Sequence, residues 1–232
     1  MNGNYSKEYF KERDILILHL ANTIADFAQK NTIKKILDVG CGAGKLVSFL
    51  NKSGFESFGC DFSKVAVKFA RINNNNKPII KLCSSTKLSY PDSSFDMICA
   101  ISLIEHLKPA DVNKFLLGAT RILKPQGFIF LVTPNYSSPL RIIKRGRWFG
   151  YQDPTHVNFF TPLRLKKTLI KSGFRKTKLT FNISYQESFN KEFPTFFQKS
   201  PPVIKKILIY LLFNSPFYIM RDSFWITARK DG

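Results

Sequence analysis

Acidic residues are scarce in this chain: 16 Asp and Glu stand against 36 Lys and Arg in 232 residues, a formal net charge of +20. Such a balance predicts attraction to anionic partners and says little about fold. Long apolar runs are missing too. Ile207 to Met220 is free of charge for only 14 residues and is interrupted by Asn214 and Pro216, whereas a helix needs about 20 apolar residues to span a bilayer. No signal peptide is read, because Lys7, Glu8, Lys11, Glu12, Arg13 and Asp14 precede an apolar run of only Ile15 to Leu18. A cytoplasmic protein, soluble or held at a membrane surface, is expected.

Cysteine is equally sparse. Cys41, Cys60, Cys83 and Cys99 are separated by 19, 23 and 16 positions and form no C-x-x-C pair, which argues against zinc and against a disulfide framework. Buried, reduced thiols on or just after the first four strands are expected. Only three histidines exist, His19, His106 and His156, so any imidazole-based proton transfer is confined to them.

What is present is concentrated in residues 36 to 46, Ile-Leu-Asp-Val-Gly-Cys-Gly-Ala-Gly-Lys-Leu. They read as an apolar strand ending in Asp38, then a glycine loop whose Gly40, Gly42 and Gly44 permit tight turning and close approach of a ligand to main-chain N–H groups. The following Lys45 to Leu50 has helical periodicity, and its N-terminus would favour a carboxylate or phosphate. A nucleotide-type cofactor is expected. The dinucleotide fingerprint G-x-G-x-x-G fails, since Lys45 stands at its third glycine and Asp38 is foreign to it. The next strand, Phe55 to Asp61, places Asp61 21 positions after Gly40, where a carboxylate can accept hydrogen bonds from both hydroxyls of a ribose.

The pattern Asp38, Gly40, Gly42, Gly44 resembles motif I of the class I S-adenosylmethionine-dependent methyltransferases, D-x-G-x-G-x-G, and the resemblance runs over about residues 33 to 135. It implies S-adenosyl-L-methionine as cofactor, held by Asp38, Gly40, Cys41, Gly42, Asp61, Phe62, Ser84, Ser85 and Ile101. Phe62 would lie beside the adenine. Ser84 stands where the family usually has an acid for the adenine amino group, and Ser84 oxygen or the Ser85 N–H would substitute. Phe95 to Leu107 is similar to motif IV, a buried strand followed by the wall of the substrate cleft. Arg121 to Val132 matches the family's helix end, turn and strand five, with Gln126 where a glycine is usual.

Apolar strands separated by helical patterns, on a length sufficient for one sizeable core, predict an α/β fold. The family resemblance specifies a doubly wound, Rossmann-like, mostly parallel seven-stranded sheet with helices on both faces. One domain is expected over 1–232: a helical cap at 1–32, including Ile17, Leu20, Ile24 and Phe27 at helical spacing, a cofactor-binding half at 33–135 and an acceptor-recognition half at 136–232. Asn73 to Asn76 reads as a short polar loop. Thr161 and Pro162 read as N-cap and first residue of a helix whose apolar face is Leu165, Leu169 and Ile170, stopped at Gly173. Trp148, Phe149 and Tyr151 read as an aromatic wall or as core.

Half of the excess charge lies between Arg141 and Lys178, with eleven Lys or Arg and only Asp153 as an acid. It reads either as a solvated basic face or as recognition of an anionic acceptor, on the side where the family places acceptors. Nucleic-acid base methylation is not favoured: Ala100-Ile101-Ser102-Leu103 replaces the N/D/S-P-P-Y/F/W of base-amino enzymes, and Cys99 follows Ile98 where cytosine-C5 enzymes use Pro-Cys. A basic-flanked apolar helix beginning at Pro201, within 201–220, would either rest on an anionic membrane or cover the sheet before a last strand at Phe224 to Ala228.

Glu105-His106 and the later His156 are similar to the E-x-x-E-H and later histidine of ubiquinone-pathway O-methyltransferases, which implies a divalent metal near the acceptor. Ser102 replaces the first glutamate, leaving three of four ligand positions, and no metal is assigned. His106 and His156 are read instead as catalytic, orienting or deprotonating the acceptor, while His106 equally suits a helix cap or cleft wall. The expected function is methyl transfer, to oxygen, on a small or lipid-linked anionic acceptor such as a glycan or quinone precursor. The alternative is a non-catalytic module of the same fold that binds nucleic acid or an anionic membrane.

Overall fold

Alternation of apolar residues decides the layering. In the computed structural model, which describes residues 18–180, 199–204, 207 and 222–231, seven strands form one sheet. These are β1 (Lys35–Val39), β2 (Glu56–Asp61), β3 (Ile80–Leu82), β4 (Phe95–Ile101), β5 (Leu123–Pro134), β6 (Phe174–Thr180) and β7 (Ser223–Lys230). Their order is β3-β2-β1-β4-β5-β7-β6. Strands β1 to β5 pair in parallel, whereas β7 is antiparallel to both β5 and β6. The mostly parallel, doubly wound sheet expected from the sequence is therefore present.

Neighbouring residues of each central strand serve opposite faces. Leu37, Ile98, Ala100, Ile129 and Leu131 pack with Val112, Phe115, Leu116, Ala119 and Ile122 of helix α4 (Pro109–Ile122) and with Leu165 and Leu169 of α7 (Pro162–Lys171). Ile36, Met97, Cys99, Phe130 and Val132 turn the other way, onto Leu20, Ile24 and Ala28 of α1 (Leu18–Lys30) and Leu50 of α2 (Lys45–Lys52). Each fully buried aliphatic or aromatic side chain contributes about 1.5–3 kcal/mol. Helix α1 thus covers a sheet face, with His19 tilted against Trp225 at 5.9 Å between ring centroids. Ile17 of the expected N-terminal cap, and most of the 201–220 segment, lie outside the described residues.

Local signals act as read. Thr161 caps α7 by accepting from Arg164 N (3.1 Å), and Gly173 ends it at φ 86°. Ile170 is a correction: it is 41% exposed, because only Leu165 and Leu169, four apart, point at the sheet. All four cysteines are buried free thiols. Between β2 and β3, α3 (Lys64–Asn73) starts at the Ser63 cap. The return from β5 carries two short helices, α5 (Pro139–Lys144) and α6 (Phe149–Gln152). No described helix is long and apolar enough to cross a membrane.

Candidate functional site

The order of the parallel strands reverses between β1 and β4, and a doubly wound sheet opens a crevice beyond the strand ends at such a point. The glycine loop lies there, after β1. Gly40, Gly42 and Gly44 all have positive φ, 76°, 53° and 71°, which side-chain-bearing residues adopt only at a cost. Gly40 N and Cys41 N donate to Cys60 O (2.8 and 3.1 Å), fastening the loop to β2. A Cβ on Gly40 would lie 3.0 Å from Leu103 Cδ1, so the chain leaving β4 leans directly on the loop.

Asp61 closes the other side. It is buried at the end of β2, where Oδ2 accepts from Gly42 N (3.1 Å) and Oδ1 from Ser63 N (2.8 Å). Burial raises its carboxyl above the ordinary range, against those backbone donors. Each carboxylate oxygen has a further acceptor position, so this acid, edged by a loop without Cβ atoms, suits the two hydroxyls of a ribose. Asp38 is buried at the end of β1. Phe62 is exposed beside Asp61. The Ser84 hydroxyl pairs with Thr86 Oγ1 (2.9 Å) and accepts from Thr86 N (3.2 Å), forming a local turn at the exposed surface, with Ser85 half-buried next to it. Ile101 ends β4 opposite Val132 and packs on the α1 side of the sheet.

Asn73 and Asn74 correct the reading of that stretch as a mere polar loop. Asn73 Nδ2 donates to Ala43 O (2.9 Å), and the buried Asn74 Nδ2 donates to Gly44 O (3.1 Å) and Ala70 O (2.8 Å). The end of α3 is thereby tied to the glycine loop across 30 positions. The run of four asparagines marked a helix end but carried no sign of that contact.

A second cluster follows β4. Ser102 takes φ 49° and turns the chain into a short 3-10 helix, Ile104–His106. The segment 153–158 docks on it: Val157 N and Asn158 N both donate to Glu105 O (3.0 Å each), and Asn158 Nδ2 donates to Leu107 O (3.2 Å). His106 and His156, 50 positions apart in sequence, meet edge to face with ring centroids 4.7 Å apart. Glu105, His106 and His156 each offer one ligand atom, and these lie within 4.8 Å of one another.

Glu105 is fully buried. Its Oε2 accepts from Thr133 Oγ1 (3.0 Å), while Oε1 is buried with no hydrogen-bond partner among the described residues. Burial pushes its carboxyl up to about 7, against its own backbone N–H and the hydroxyls of Thr133 and Ser102, and the Asp153 charge adds to the rise. His156 Nδ1 lies 2.8 Å from Gly150 O. A carbonyl only accepts, so Nδ1 carries the proton and Nε2 the lone pair. The carboxylate of Glu105 and the imidazole nitrogens of His106 and His156 are the ligand types that a divalent transition metal accepts. Thr133, Asp153 and Thr155 were not read from the sequence as site residues; Asp153 did stand out as the one acid between Arg141 and Lys178, a signal that could have found it.

Aromatic residues form the flank. Trp148 is buried against Tyr136, Phe149, Tyr151 and Phe159, and its Nε1 donates to Asp222 Oδ1 (3.0 Å). Of the expected aromatic wall, Trp148 is core, while Phe149 and Tyr151 are exposed.

Fold and site define a nucleoside-binding doubly wound protein with a carboxylate–imidazole cluster beside its glycine loop. A family model described as a methyltransferase domain matches residues 9–179. The ubiquinone biosynthesis O-methyltransferase of Bartonella bacilliformis is 28% identical over 169 residues, covering 68% of this chain and 67% of that protein. The human tRNA N(3)-cytidine methyltransferase METTL2B is 29% identical over 173 residues, 66% of this chain and 45% of that protein. A SAM-dependent methyltransferase structure from Archaeoglobus fulgidus superposes with a TM-score of 0.63 at 22% identity, covering 90% of this chain and 94% of that one. Among ubiquinone biosynthesis O-methyltransferases of three species the matches span 59–67% of the relatives' length. The chain belongs to the class I S-adenosylmethionine-dependent methyltransferases.

Proposed function

We propose that this protein transfers a methyl group from S-adenosylmethionine to an oxygen of a small or lipid-linked anionic acceptor, such as a glycan or quinone precursor. The observation that carries the reading is the cluster of Glu105, His106 and His156, joined to the glycine loop through Leu103. A hydroxyl acceptor must lose a proton, and an imidazole with an available lone pair takes one near neutral pH.

Asp61 would hold the ribose hydroxyls, with Gly40, Cys41 and Gly42 presenting backbone to the rest of the cofactor and Phe62, Ser84, Ser85 and Ile101 around its base. When bound, S-adenosylmethionine supplies an electrophilic methyl group on a sulfonium. Holding the acceptor oxygen in line with that carbon contributes several kcal/mol of the rate enhancement. His106 or His156 would receive the hydroxyl proton at Nε2. A divalent cation, where bound, would be held by Glu105, His106 and His156 and would polarise the acceptor oxygen.

The basic surface and the human relative favour a second reading, methylation of RNA. The imidazole pair weighs against it, because an N3 acceptor already presents a lone pair and needs no base. The basic residues following β5 would instead attract an anionic small molecule or an anionic membrane bearing a lipid-linked one. A non-catalytic module is a weaker reading, since it has no physical need for the glycine turn and Asp61 at this spacing. One domain over the whole chain fits the single sheet.

The test is methyl transfer from radiolabelled S-adenosylmethionine to phenolic and sugar hydroxyl acceptors, alongside transfer RNA, with and without magnesium. Transfer to a hydroxyl compound that falls at least tenfold in both His106→Ala and His156→Ala, with unchanged cofactor affinity, supports the proposal. Transfer to RNA alone, or equal activity in both variants, contradicts it.

A further inference from the structure

Thr155 Oγ1 lies between two polar groups, 2.5 Å from Asp153 Oδ1 and 2.8 Å from His106 Nδ1. We propose that Asp153, acting through the Thr155 hydroxyl, is a positioning residue that fixes the tautomer of His106, placing the imidazole proton on Nδ1 and the lone pair on Nε2. The proposal rests on the reading of His106 as an acceptor-site residue.

Proton counting carries it. A hydroxyl has one proton, and an ionised carboxylate only accepts. Asp153 Oδ1 already receives Thr155 N at 2.9 Å, so the hydroxyl proton of the same residue is directed to Asp153 as well. The Thr155 oxygen then offers His106 a lone pair, and Nδ1 must bring the proton. If the hydroxyl were released from Asp153, it would be able to donate to Nδ1, and the tautomer would invert. Asp153 Oδ1 accepts both Thr155 donors, the backbone N–H at 2.9 Å and the hydroxyl at 2.5 Å, as an acceptor-only carboxylate does.

The surroundings hold the relay without depending on it. Asp153 O accepts from His156 N (3.1 Å), and Glu105 O accepts from Val157 N and Asn158 N. The segment therefore remains anchored on both sides when the Thr155 hydroxyl is removed. His156 gains the same tautomer from Gly150 O, a carbonyl outside the relay. Two independent acceptors, Thr155 Oγ1 and Gly150 O, thus set the same tautomer in two imidazoles whose ring centroids lie 4.7 Å apart, an arrangement that serves proton acceptance or metal ligation equally.

The experiment is heteronuclear NMR of uniformly nitrogen-15-labelled protein at pH 8, correlating ring nitrogens with carbon-bound ring protons. With three histidines in the chain, each imidazole is assignable by substitution. In the wild type, His106 and His156 are expected to show protonated Nδ1 and unprotonated Nε2. Thr155→Val and Asp153→Ala are expected to move the His106 proton to Nε2 and leave His156 unchanged, and Thr155→Ser is expected to retain the wild-type pattern. The unchanged His156 signals report that the segment is folded. Turnover in Thr155→Val should fall about 10- to 100-fold, with cofactor affinity unaltered and activity recovered in Thr155→Ser. A wild-type His106 protonated on Nε2, or a tautomer that Thr155→Val leaves in place, would overturn the relay. A tautomer change without loss of turnover would overturn the positioning role. The ring spectra need neither cofactor nor acceptor, so failure of the acceptor-site reading appears separately, as full turnover in His106→Ala.

Discussion

Single residues carry the most specific chemistry here, and one of them carries a visible cost. Gln126 sits where the family usually has glycine, and its φ of 63° explains why: a Cβ in the left-handed region costs about 1–2 kcal/mol. Gln126→Gly should therefore stabilise the protein by about 0.5–1 kcal/mol, after the larger entropy that glycine loses on folding is subtracted. Chemical denaturation of the two proteins checks it, and a less stable variant would show that this turn is not under strain. At Gly150 the demand runs the other way. A Cβ there would lie 2.2 Å from the Trp148 ring, and Gly150 O is the acceptor for His156. Gly150→Ala should cost about 1–3 kcal/mol and broaden or shift the His156 ring signals; wild-type stability and unchanged signals would refute it. The geometry of the glycine loop and the place of Asp61 at the end of β2 were legible because they follow from short spacing. The relay was not, because Thr155 meets His106 across 49 positions, and neither residue signals the other locally.

At the scale of elements, the strands and the helix at Thr161 were readable from apolar period and cap chemistry, which act within one turn of chain. What escaped is where elements are tied to each other. Asn74 looked like part of a polar stretch because the Gly44 carbonyl that it holds is distant in sequence. Asp96 shows the same thing at the far end of the sheet. It opens β4, accepting from Lys34 N (3.1 Å) and Lys35 N (2.8 Å) at the start of β1, and it pairs with Lys124 Nζ (2.7 Å) at the start of β5. Burial works against its charge, but Lys124 and the two backbone donors win, and its pKa is lowered. A lowered carboxyl contributes stability that is full above its unfolded pKa, about 3.9, and is lost as pH falls through the lower folded value. Asp96→Asn should accordingly destabilise the protein by about 1–2 kcal/mol at pH 7, discounted for partial exposure. The difference should shrink as pH drops below about 4. Urea midpoints measured from pH 7 downwards check this, and a difference that grows towards acid would contradict it.

For the molecule as a whole, a sheet with helices on both faces presents its glycine loop and its carboxylate–imidazole cluster at neighbouring strand ends. The net charge of +20 belongs to the chain as a whole. The exposed lysines of α7, Lys166, Lys167 and Lys171, lie on the helix face opposite the core. Composition therefore bears on the charge of a partner and not on its chemistry. A ligand that binds only the folded state stabilises it by RT ln(1 + [L]/Kd). S-adenosylhomocysteine at a hundredfold excess over its Kd should add about 2.7 kcal/mol and raise the melting temperature by about 5–11 °C for a chain of this size. NAD at equal concentration should raise it little, and equal shifts from both would contradict the cofactor assignment.

The central claim is that Asp61 and the glycine loop hold the nucleoside of S-adenosylmethionine. Calorimetric titration of the wild type and of Asp61→Ala with that cofactor tests it most directly. The account predicts saturable one-site binding by the wild type and, with two charge-assisted hydrogen bonds lost at about 1.5–3 kcal/mol each, at least a tenfold weaker affinity in the variant. Binding of equal strength by a folded Asp61→Ala protein would contradict the account.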